Sequence, residues 1–160
     1  MSAGSKRASP TTRRQRDGSG LAAGQPVNAV QVPHGVGGYL AVAAGAVLGA
    51  WLRMLLGAWL NPLHPYFAYG TWAANLLGGL LVGMVVAAFA RHPEIDAAWR
   101  LFLLTGFLGA LTTFSTFSSE SLSLLQHGRI AWAVAHSGAH LFGALAMAAL
   151  GFRLLSQPIA

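Results

Sequence analysis

The sequence predicts an all-α membrane protein with four transmembrane helices, the third of them broken. Three observations carry this. Of 160 residues, 54% are hydrophobic and only 9% are charged, whereas a soluble domain carries about a quarter charged residues. Four long apolar stretches follow one another, divided by short polar or proline-containing segments. The third stretch changes character halfway, from apolar to rich in hydroxyl groups. The length suits one domain. With no cysteine, a disulfide frame and a thiolate metal site are both excluded.

The first stretch runs from about Gly37 to Leu60 and contains one charge, Arg53; Asn61, Pro62, His64 and Pro65 then break it. The second, about Tyr69 to Ala90, is free of charge and has only Thr71 and Asn75 as strongly polar groups. A helix needs roughly 20 apolar residues to cross the hydrocarbon core, so both qualify. The fourth runs from about Ile130 to Phe152 and holds His136 and His140. Of eight Trp and Tyr residues, all but Trp51 fall near the ends of the stretches, as interfacial belts do.

The third stretch is apolar from Leu101 to Leu111 apart from Thr105. As a helix it rises only ~16 Å, about half the hydrocarbon thickness. It continues as TTFSTFSSESLS, residues 112–123, in which nine of twelve side chains are polar. One reading is a surface loop after a re-entrant half-helix. The other is a broken helix whose second half faces a polar path inside the protein, because irregular backbone at membrane depth needs protein or a water-lined cavity to satisfy it. Two aromatic residues at regular spacing within the polar run favour the second.

Residues 1–35 are rich in Ser, Gly, Arg and Pro and carry five of the ten basic residues. They are expected to form a disordered basic tail ahead of a four-helix domain over 36–156. Such a tail suits anionic lipid or membrane orientation better than nucleic acid, so no nucleic-acid partner is expected. Beyond the tail, Arg91, Arg100 and Arg153 face Arg129 across the membrane. That is a weak bias for the N-terminus inside.

Several residues can carry chemistry. Gly45, Gly49 and Arg53 share one helix face. The glycines suit close helix packing. Arg53 either snorkels to the interface or serves a vestibule that concentrates anions. Asn75 can bond to another helix or donate its NH₂ to a passing anion. Phe114 and Phe117 point the same way, among Thr113, Ser115, Thr116 and Ser118. Electropositive ring edges together with hydroxyls can line a route for a small hard anion. Glu120 is the one acid within the stretches, and an intramembrane carboxylate suggests function. His136 and His140 are spaced as metal ligands, but two ligands do not make a site, and hydrogen bonds between helices suit them better. No zinc-protease helix, phosphate loop or nucleophile elbow is present, which argues against an enzyme.

The segment 106-GFLGALTTFSTFSSE-120, with GAVLGAWLR at 45–53 and GTWAANLLGG at 70–79, resembles the Fluc/CrcB family of fluoride channels over roughly residues 38–155. The resemblance implies an antiparallel, dual-topology homodimer in the bacterial inner membrane, with two fluoride pores and a sodium ion at the dimer centre. It implies that Phe114 and Phe117 line the pore, with Asn75 and the third-helix hydroxyls Thr113, Ser115, Thr116 and Ser118 along the path, where Thr71 and Glu120 are expected as polar groups within the spans. The backbone carbonyls of Gly109 and Thr112 would bind the structural sodium. The expected partners are fluoride, sodium, lipid and a second copy of the chain. His136 and His140 depart from the family, which often has hydroxyl residues there; Ala110 stands where a second glycine is common. The alternative is a small multidrug-type exporter, also four-helical and dimeric, which relies on an acid in the first helix. The first stretch has none. A non-transporting assembly subunit is a third reading.

Overall fold

In a computed structural model of the chain, residues 35–156 are described. The expected tail over 1–35 lies outside them except for Gly35. Helix α1 spans Val36–Leu60 and α2 spans Tyr69–Arg91. The third span opens with α3 (Ala97–Arg100), widens into a π-helix over Leu101–Leu108 and closes as α4 (Gly109–Leu111). It resumes after a two-residue break as α5 (Phe114–Gln126). Helix α6 spans Ile130–Ser156. Among the described residues four runs are long and apolar enough to cross a membrane: Val36–Leu63, Tyr69–Arg91, Ala97–Gln126 and Ile130–Ser156. The chain is a multi-pass, all-helical membrane protein.

Local chemistry sets the ends of these helices. Asn61–Leu63 forms one 3₁₀ turn after α1. His64 then turns extended at φ −149°, ψ 136°, the conformation that a following proline, here Pro65, imposes. Asn61 also caps the next helix from a distance. Its Oδ1 accepts from the backbone N–H of Gly70 (2.8 Å) and Thr71 (3.3 Å), two donors that the start of α2 leaves unsatisfied. Asp96 caps α3, its Oδ1 accepting from Ala98 N at 2.7 Å.

Backbones in close approach make two tight helix pairs. Helix α1 packs on the first half of the third span, and α2 packs on α6. A methyl group added at Gly49 would run into the carbonyl oxygen of Phe107, and one at Gly83 into that of Ala148. Helices in lipid gain nothing by hiding apolar groups from water, so close contact along small residues is what holds them. The buried centre is Ala74, Leu108 and Leu111, where α2 meets the end of the first half-helix.

The expected break is present but has helix on both sides. Leu101–Leu111 is extended at its start by α3, and the polar run 114–126 is helical throughout. Thr112 (φ −80°, ψ 152°) and Thr113 (φ −148°, ψ 120°) are the extended residues between.

Candidate functional site

The break is built around Asn75. Its Oδ1 accepts from Thr113 N at 2.8 Å, and its Nδ2 donates to Thr113 O at 3.2 Å. The side-chain amide thus pairs with both backbone groups of one residue, as a neighbouring peptide would. Thr113 caps α5: its Oγ1 accepts from Thr116 N at 3.1 Å, donates to Thr116 Oγ1 at 3.0 Å and lies 3.2 Å from Ser115 Oγ.

These bonds divert two N–H groups from their helical acceptors. In an unbroken α-helix Thr113 N–H would close on Gly109 O, and Thr116 N–H on Thr112 O. Both donors are engaged elsewhere, so these carbonyl oxygens lack their helical partners among the described residues. Carbonyl oxygen is the donor type that a hard cation takes. Thr112 is held by its own N–H and hydroxyl, both donating to Leu108 O at 3.0 and 2.9 Å.

A second polar cluster lies further along α5. Thr71 Oγ1 donates to Glu120 Oε1 at 2.6 Å. His136 Nδ1 bonds with Ser121 Oγ at 3.1 Å, and His140 Nδ1 with Asn75 Nδ2 at 3.0 Å. One ligand atom from each of Glu120, His136 and His140 lies within 4.8 Å of the other two. His136 and His140 are 1% and 5% exposed. His136 Nε2 stands 3.3 Å from Glu120 Oε2, but off the line of a hydrogen bond. Glu120 Oε2, His136 Nε2 and His140 Nε2 are all buried, and none has a hydrogen-bond partner among the described residues.

Aromatic rings flank this cluster. Phe117 stacks on His136 with centroids 5.5 Å apart and planes 8° apart, and lies 5.1 Å from His140. Phe114 contacts Phe117 at 5.4 Å but is 79% exposed. A cavity of about 660 Å³ reaches from Asn75, Thr113 and His140 past Phe114 and Phe117 to Gly109. A separate cavity of about 210 Å³ holds Arg53 with Asn61, Thr71, Thr113 and Thr116. Arg53 has no acidic partner among the described residues, and Thr71 links the two regions through its bond to Glu120.

Most of the expected site residues therefore come together: Thr71, Asn75, Thr113, Thr116, Phe117 and Glu120 border one polar seam. Ser118 does not join them, because its hydroxyl donates to Phe114 O at 2.8 Å within its own helix. Both histidines bond between helices, and the structure adds what their spacing could not show, a third potential ligand in Glu120. The pairing of Asn75 with Thr113 was also hidden; an amide inside an apolar span was the one signal for it.

The fold and this seam define a class: a small four-span membrane protein whose third span is interrupted beside a buried asparagine and a hydroxyl-rich half-helix. The chain belongs to the family described as "CrcB-like protein, Camphor Resistance (CrcB)", which matches residues 40–152. It is similar to the fluoride-specific ion channel FluC of Cupriavidus pinatubonensis, with 53% identity over 122 residues, 74% of this chain and 97% of that one. The channel of the same name from Chromohalobacter salexigens is 55% identical over 112 residues, 70% of this chain and 85% of the relative. That of Pseudomonas syringae pv. maculicola is 50% identical over 112 residues, 70% and 88% of the two chains.

Proposed function

We propose that the chain is a fluoride-specific channel of the bacterial inner membrane, through which cytoplasmic fluoride leaves passively. The observation that carries this is the 53% identity to a fluoride-specific ion channel across 97% of that relative's length. The seam supplies matching chemistry. Fluoride is small, strongly hydrated and a strong hydrogen-bond acceptor, so a selective path must replace its water with donors. Hydroxyls and aromatic ring edges serve that need, while Arg53 in the adjoining cavity draws anions in. Neutral HF crosses membranes from acidic surroundings and dissociates inside, and a passive leak of fluoride relieves the toxicity.

The working unit is an antiparallel homodimer with both insertion orientations and a central sodium ion. Phe114 supports the second copy: so exposed on one chain, it forms a pore wall only against another. The freed carbonyls of Gly109 and Thr112 would hold the sodium. The charge distribution outside the tail, three basic residues against one, is balanced enough for dual insertion. The exporter reading lacks its acid, since α1 contains none.

The test is anion release from liposomes that hold the purified protein, followed with fluoride and chloride electrodes. Fluoride is expected to leave rapidly and chloride to stay. Equal release of both, or no fluoride release from folded protein, would refute the proposal.

A further inference from the structure

The three unpartnered atoms of Glu120, His136 and His140 pose a choice of occupant. Two imidazoles and a carboxylate are a ligand set for zinc-like divalent metals. A metal, however, needs a bare nitrogen lone pair from each histidine. A hydrogen-bonding anion needs the opposite, a ring nitrogen that carries a proton.

Asn75 decides between them at His140. Its orientation is not free: Thr113 N–H can only donate, so the atom 2.8 Å away must be Oδ1. Thr113 O can only accept, so the atom at 3.2 Å must be Nδ2. The second hydrogen of that NH₂ then points at His140 Nδ1, 3.0 Å away. An amide nitrogen cannot accept, so His140 Nδ1 is the acceptor and the ring proton sits on Nε2, the orphaned atom. The backbone at the helix break therefore sets the tautomer of a histidine on another helix, with Asn75 as the relay. His136 is not constrained in this way, because the Ser121 hydroxyl can donate to its Nδ1 or accept from it.

We propose that Asn75 holds His140 in its Nε2–H form, so that the Glu120–His136–His140 point offers a donor to fluoride and refuses a divalent metal. The proposal rests on the fluoride-channel reading for the identity of the anion. The tautomer of His140, and with it the loss of one metal ligand, follows from the geometry alone. Glu120 Oε1 is engaged by Thr71. Its Oε2 faces His136. Asn75 is thus a positioning residue that acts through His140.

The experiment uses the full chain, labelled with ¹⁵N-histidine, in lipid bilayers. Nitrogen NMR separates protonated, pyrrole-like ring nitrogens from bare, pyridine-like ones, and the His140→Gln variant identifies which signals belong to His140. The expected spectrum shows a protonated Nε2 and a bare Nδ1 at His140, and sodium fluoride moves the Nε2–H proton resonance where equal sodium chloride does not. A bare Nε2, or no response to fluoride, overturns the proposal. The tautomer is read without ion flow, so a chain that shows Nε2–H and its response to fluoride yet passes no fluoride refutes the channel reading alone.

A second arm titrates Co²⁺, followed by its visible absorption. In Asn75→Asp the new carboxylate only accepts, which draws the proton to Nδ1 and bares Nε2. This variant should bind Co²⁺ at least ~10-fold more tightly than the native chain, within the range for groups that orient a ligand. Native protein that binds Co²⁺ strongly, and loses it on Glu120→Gln and His136→Ala, overturns the proposal. If Asn75→Asp does not fold, the native spectrum decides.

Discussion

Asn75 joins three elements with one amide: α2, which carries it, the break at Thr113, and His140 on α6. In lipid an unpaired backbone group has no water to turn to. Replacing Asn75 with Ala strands the N–H and C=O of Thr113 together with His140 Nδ1. Each stranded group costs about 1–3 kcal/mol when buried, although polar contacts in membranes average nearer ~0.6 kcal/mol. The expected net loss is about 1–3 kcal/mol, measured by reversible unfolding in mixed micelles, with fluoride flux reduced as well. An unchanged unfolding midpoint would mean that the break holds itself. Phe117→Ile is milder. It removes ring contacts with His136 and His140, worth about 0.5–1.5 kcal/mol. If the ion passes there, flux falls roughly 2- to 10-fold while the protein stays folded; normal flux would take Phe117 off the path.

The helix pairs are held by backbone contact, so their weak points are the glycines. A side chain at Gly83 must displace the Ala148 carbonyl and crowds Phe152 N, 2.7 Å away. Neither is a flexible tip that can swing aside. Gly83→Leu is expected to separate α2 from α6 and to lower the yield of monodisperse protein sharply in size-exclusion chromatography. Gly57→Ala is the control, because its nearest neighbour is Asn61 Nδ2 at 3.6 Å and alanine favours helix by about 0.5–1 kcal/mol. Much at this scale was legible. Span limits followed from apolar length, and the break from the switch at Thr112 to hydroxyl side chains. The distant cap of α2 by Asn61 was not legible, because asparagine beside proline reads simply as a turn. The π-helix over Leu101–Leu108 was equally hidden, since its residues are as apolar as those of any α-helical span. The Asn75–Thr113 pair joins positions 38 residues apart, which no local pattern encodes.

At the scale of the whole molecule, the open carbonyls of Gly109 and Thr112 matter most. Gly109 is exposed on the single chain, so a cation held there can also be shared with a second copy. An ion that binds only the native assembly stabilises it by mass action. The proposed dimer should therefore survive denaturant or dilution better in sodium than in a larger monovalent cation at equal ionic strength. Cross-linking yield across a dilution series reads this directly. Identical curves in both salts would count against an exchangeable sodium ion as the fastening.

The π-helical stretch ahead of the break has a consequence for length changes. A π turn takes in one residue more than an α turn, so the segment Leu101–Leu108 stores slack. Removing one residue within it lets the stretch relax to ordinary α-helix without stretching the chain. Yet each residue of an α-helix turns the chain by roughly 100° and advances it ~1.5 Å. Relaxing the wide turn recovers part of that angle, and the remainder changes the angular phase at which Thr112 and Thr113 arrive opposite Asn75. Apolar composition would be untouched, insertion would proceed, and the helix would look sound by circular dichroism. What would be lost is the timing of the break, as a key cut to the right profile but turned in the lock.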